Sequence, residues 1–131
     1  MSDWREIDED DRREAIDERR IFVFGSNLAG RHGAGSARAA YRHHGAKMGQ
    51  GVGLQGNSYG IPTKNEKLAI LPLSAIMLYV ADFLAFASER PTWQFDLVAI
   101  GCGLAGYEPA DIAPMFKGAT VNVHLPREFT E

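Results

Sequence analysis

Cysteine is nearly absent: Cys102 is the single one in 131 residues. The chain can therefore form no internal disulfide and no cysteine-only metal site, and a reducing, cytoplasmic setting is the expectation. Histidine is sparse too, and none of the four joins cysteine and carboxylates at metal-ligand spacing, so neither a metal nor another cofactor is expected. A surplus of positive charge is also missing. The net charge is −3, with nine acids against five bases over residues 1–20 and a balance near +1 beyond them. The broad basic footprint of a nucleic-acid binder is lacking, and no nucleic-acid partner is expected. Long apolar runs are scarce. Leu68 to Ala87 carries only Asp82 as a charge, but Pro72 near its start and that aspartate argue against a membrane span. The charged N-terminus does not read as a signal peptide.

What is present suits one α/β domain. Residues 1–20 form a charged segment, read as a short amphipathic helix or a tail, with Trp4, Ile7, Ala15 and Ile16 as its apolar positions. Residues 21–131 form the body, large enough for one core. It is organised around Ile21–Ala46, where the apolar run Ile21–Phe24 reads as a buried strand. A turn-rich loop follows from Gly25 to Gly33, and a helix runs from about Ala34 to His44, ended by Gly45. Strand, glycine loop and helix N-terminus together outline an anion cradle, because first-turn amides have no partner within the helix. Arg31, Arg38, Arg42, His43, His44 and Lys47 make the neighbourhood basic.

Downstream, Met48–Gly60 is glycine-rich, Leu68–Leu71 reads as a short strand, and Ser74 is placed to cap a helix running to about Glu89. Gln94–Gly101 is the clearest later strand. It feeds a second glycine loop, Gly101–Tyr107, after which Glu108-Pro109 opens a helix and Ala119–Leu125 closes the domain as a strand. Alternating strands and helices predict a three-layer α/β/α fold with a mainly parallel mixed sheet, whose ligand sits beyond the carboxyl ends of the strands.

Three motifs compete for the chemistry. Gly25 to Gly30 has P-loop spacing, but Arg31-His32 stands where a Lys-Ser/Thr pair is required. Gly51-Val52-Gly53-Leu54-Gln55-Gly56 fits a dinucleotide fingerprint, yet Gly60 and Pro62 prevent the helix that must follow. Gly56-Asn57-Ser58-Tyr59-Gly60 fits a nucleophile elbow and needs the same helix. Asp82 and His124 supply the chain order of a triad, so a serine hydrolase through Ser58 stays as one reading. The plain alternative is a glycine-rich β segment passing close to a ligand or another backbone.

Two segments, Arg31-His32-Gly33-Ala34-Gly35-Ser36-Ala37 and Ala99-Ile100-Gly101-Cys102-Gly103-Leu104 with Tyr107 beyond, resemble the macrodomains, the fold that binds ADP-ribose. Ile61-Pro62-Thr63-Lys64 adds a weaker match. The likeness is nearest to the branch containing the glycohydrolase that removes terminal ADP-ribose from acidic side chains of proteins. It implies that amides around Gly33–Ser36 and Gly101–Gly106, with Cys102, Leu104 and Ala105 among them, clasp the pyrophosphate. It further implies that Asn27 bonds the distal ribose, that Tyr107 packs beside the ribose and that Phe22 or Phe24 lines the adenine end; His32, by its place inside the loop, is a further candidate to face the ligand. Lys64 matches the lysine that attacks the anomeric carbon. The chain departs from the pattern at Ala105, where that branch has its catalytic aspartate, leaving Glu108, Asp111 or His32 as donors by sequence proximity. It departs again at Arg19-Arg20, where an adenine-reading acid is expected. The expectation is thus a protein that binds ADP-ribose or an ADP-ribosyl group and hydrolyses its linkage, with a non-catalytic binder as the alternative.

Overall fold

The computed structural model describes residues 19–130; apart from Arg19 and Arg20, the N-terminal segment expected as helix or tail lies outside them. Among the described residues five strands form one sheet: β1 (Arg20–Asn27), β2 (Gly53–Gln55), β3 (Ser58–Lys64), β4 (Gln94–Leu97) and β5 (Val123–His124). Four helices accompany them among these residues: α1 (Gly35–His43), α2 (Leu73–Ser88), α3 (Pro109–Ile112) and α4 (Arg127–Thr130), with a 3-10 turn over Ala113–Phe116. The strand order is β2-β3-β1-β4-β5. Only the β2–β3 pair is antiparallel; the others run parallel.

Strand alternation sorts β1 between two cores. Ile21 and Val23 join Ile61, Ile76, Val80, Phe83, Phe95 and Phe116 under α2. Phe22 and Phe24 point the other way, onto Ala37, Ala40 and Ala46 of α1 and its exit. Alanines on that side let α1 lie close to the sheet. The result is an α/β fold with a five-stranded mixed sheet, compatible with three layers. Among the described residues no helix is long and apolar enough to cross a membrane.

Several boundaries differ from the sequence expectation. Strand β1 runs on through Gly25–Asn27, where the sequence placed a loop, because Gly60–Lys64 pairs alongside it. Pro62 is tolerated there because β2 ladders only as far as Gly60, and the register with β1 shifts between Ser26 and Asn27. Leu68–Leu71 contributes one bridge, Ile70 to Lys64, rather than a strand. Helix α2 starts after Pro72 without a side-chain cap, so Ser74 is not its cap. Strand β4 stops at Leu97, four residues before the expected end: Val98 N–H still donates to Val23 O at 3.1 Å, then the chain turns away. The last strand shrinks to Val123–His124.

Candidate functional site

The chain moves from β1 to β3 on one side, then crosses through α2 to β4 on the other. Such a switch leaves a crevice at the carboxyl ends of the strands, where successive connections diverge. Because β4 ends early, the last residues of β1 project beyond it. A cleft of about 750 Å³ opens there, floored by Gly25, Ser26 and Asn27 and walled by the first turn of α1, the end of β3 and the Val98–Ala105 segment. The two glycine loops meet across it: a Cβ built on Gly35 would lie 3.7 Å from Leu104 Cδ1.

Unused main-chain donors distinguish this cleft. Ala34 is the N-cap of α1, in extended geometry (φ −151°, ψ 161°), and supplies no side-chain cap. The N–H groups of Gly35, Ser36 and Ala37 donate to no other described residue. Across the cleft, the N–H groups of Gly101, Gly103, Leu104 and Ala105 are likewise without a described acceptor, while Gly106 and Tyr107 donate back to Gly103 and Gly101 and close the loop. Gly35 sits at φ +60°, a conformation glycine adopts freely and side-chain-bearing residues do not. The residues carrying these amides line one cleft, and the N-terminal turn of α1 opens on it, which favours an anion.

Most of the residues expected from sequence line the cleft: Asn27, Gly33, Ala34, Gly35, Ser36, Lys64, Gly101, Cys102, Gly103, Leu104 and Ala105. Asn27 does so with its side chain already engaged, Nδ2 donating to Arg31 O at 2.8 Å and Oδ1 accepting from Arg31 N at 2.9 Å. Lys64 ends β3 with its carbonyl accepting from Leu28 N–H at 2.9 Å, while its ammonium group makes no hydrogen bond or ion pair with another described residue.

Three expected residues are not in the cleft wall. His32 is buried beneath the loop with its ring edge-on to Phe24, and Nε2 lies 2.8 Å from Lys47 O and 3.0 Å from Gln50 O. Both neighbours are carbonyls, so Nε2 carries the proton and pins the first loop to the 47–50 turn. Gly106 closes the second loop. Tyr107 turns away, its hydroxyl donating to Leu71 O at 2.6 Å. The aromatic residues expected at the adenine end are also committed elsewhere. Phe24 is fully buried, and Phe22 stacks on His44 with centroids 4.3 Å apart.

Arg19 and Arg20 lie at the opposite end of the sheet. Arg19 sits over Trp93, and Arg20 pairs with Asp96. Of the acids near Ala105, Glu108 and Asp111 are used in a capping box at the start of α3. Ser58 is buried with Oγ donating to Gln55 O at 2.7 Å and is followed by strand rather than helix. Asp82 is exposed on α2, and His124 bonds Gln94 from β5. Among the described residues no group of three or more His, Cys, Asp or Glu is placed to hold a metal.

The structure adds residues that sequence reasoning did not single out as site residues. Arg31 and Thr63 line the cleft, as do Leu68 and Glu128. Leu68 adopts φ +63°, which costs a leucine about 1–2 kcal/mol. The turn holding it is tied by Asn65 Oδ1, which accepts from Lys67 N and Ala69 N. Glu128 carries no sequence signal, standing in the last turn of the chain beyond Pro126.

Cys102 faces the cleft as a thiol. Partial burial raises its pKa first, and the carboxylates of Glu128, Glu108 and Asp111 raise it further. The thiolate is the reactive form, so iodoacetamide should modify Cys102 more slowly than free cysteine at pH 8. Glu128→Gln should speed that reaction, and an unchanged rate would mean that the Glu128 charge does not reach the thiol.

Fold and cleft define an α/β protein whose carboxyl-end crevice is lined in part by main-chain amides with no acceptor among the described residues. No family model, curated protein or solved structure matches the chain, so a functional reading rests on the cleft itself.

Proposed function

We propose that this is a macrodomain-like protein whose cleft holds ADP-ribose or an ADP-ribosyl group. The supporting observation is the pair of amide-bearing loops facing one another across the switch-point crevice, with Arg31 and Lys64 beside them. A pyrophosphate offers acceptors to both loops at once, and glycine lets the backbone approach it closely. Lys64 then stands as the nucleophile for hydrolysis. An Nζ lone pair bonds the anomeric carbon as the carrier carboxylate leaves with the electrons of the broken C–O bond, and water then displaces the amine, releasing the sugar and restoring the lysine. A reader that holds the group without turnover is the second reading, favoured by Ala105, a buried methyl where a catalytic carboxylate would be needed.

Calorimetry with ADP-ribose should show saturable binding, whereas a serine hydrolase through Ser58 predicts none. With an auto-ADP-ribosylated protein as substrate, Lys64→Ala should retain binding and slow release by at least about 100-fold. Equal release by variant and wild type would remove Lys64 from the chemistry. No release by either, with binding intact, would leave the reader.

A further inference from the structure

Three charged side chains line the cleft: Arg31, Lys64 and Glu128. The two cations suit a diphosphate, and the carboxylate opposes one. Helix α4 holds Glu128 at the wall through buried Phe129, whose N–H donates to Pro126 O at 3.0 Å. The Glu128 carboxylate makes no hydrogen bond or ion pair with another described residue, unlike Glu108 and Asp111, which cap α3. It lines the same cleft as Gly101 to Ala105 of the second loop.

An ionised carboxylate only accepts hydrogen bonds. Among the groups of ADP-ribose, the donors it can take are the ribose hydroxyls and the adenine amine, and of these a ribose diol offers two adjacent hydroxyls to its two oxygens. We propose that Glu128 recognises sugar hydroxyls and makes the cleft select a diphosphate ester bearing a free diol over bare diphosphate. The inference rests on the diphosphate reading above and adds a determinant of selectivity to it. Lacking the hydroxyl donors, bare pyrophosphate meets Glu128 as repulsion alone.

Wild type, Glu128→Gln and Glu128→Ala are titrated calorimetrically with ADP-ribose and with inorganic pyrophosphate at one ionic strength. Glu128 is exposed, so both variants should fold, which thermal melting checks. Wild type should prefer ADP-ribose. Glu128→Ala should lose about tenfold in ADP-ribose affinity through the missing charged acceptor. Both variants should gain about threefold for pyrophosphate through removal of the like charge. A ratio of the two affinities unchanged in both variants overturns the role of Glu128 while leaving the diphosphate reading standing. Failure of wild type to bind either ligand overturns both.

Discussion

Ala34→Asp should make the protein more stable and at the same time unable to hold a diphosphate. Ala34 already has the extended backbone of an N-cap and offers no side-chain acceptor, so the first-turn N–H groups of α1 are left open. An aspartate there can accept from Ser36 or Ala37 N–H, which stabilises a helix by about 1 kcal/mol. Its charge beside the positive end of the helix dipole adds about 0.5 kcal/mol. For a domain of this size the melting temperature should rise by a few degrees. The same carboxylate occupies the amides assigned to the ligand and repels its phosphates, so ADP-ribose affinity should fall by about 100-fold. Ala34→Asn separates the two effects, because it caps without charge and should weaken binding less. Opposite signs in melting and calorimetry on one variant are the expected result. Wild-type affinity in Ala34→Asp would show that the α1 amides do not hold the anion.

Gly51→Ala should cost more than about 3 kcal/mol, a large part of the stability of a small domain. A Cβ on Gly51 would sit 2.0 Å from Asn27 O, 3.0 Å from Asn27 C and 3.1 Å from Leu28 Cα, all main chain at the end of β1. Backbone cannot rotate aside as a side chain can, so the glycine-rich segment would have to lift off the first loop. That movement would break the hydrogen bond from Ser26 Oγ to Gly51 O and disturb the carbonyls of Lys47 and Gln50 that hold His32. Gly103→Ala is the matched control, since nothing lies within 4 Å of its added carbon and its φ is outside the left-handed range. It should change stability by less than about 0.5 kcal/mol. Urea midpoints of the two variants make the comparison. Equal midpoints would mean that the segment does not pack backbone to backbone against β1.

The sequence by itself determined the local units that frame the cleft. Ile21–Phe24 had to be a buried strand, Ala34–His44 had the composition of a helix, and the glycines between them marked a loop with free amides. These are properties of neighbouring residues, set by apolar runs and by the partnerless first turn of any helix. Met48–Gly60 read as a glycine-rich β segment passing close to a ligand or another backbone, and only the packing of Gly51 on Asn27 and Leu28 decided for the backbone.

Tertiary structure decided what those units meet. Pro62 sits within a paired strand because β2 is too short to reach it. His32 lies beneath the loop because two carbonyls some fifteen residues downstream capture its ring. Tyr107 is drawn away by Leu71 O, and Glu128 is brought to the cleft wall from the end of the chain. Each of these outcomes depends on contacts between residues far apart in sequence, so the pattern of a single segment carries no trace of them.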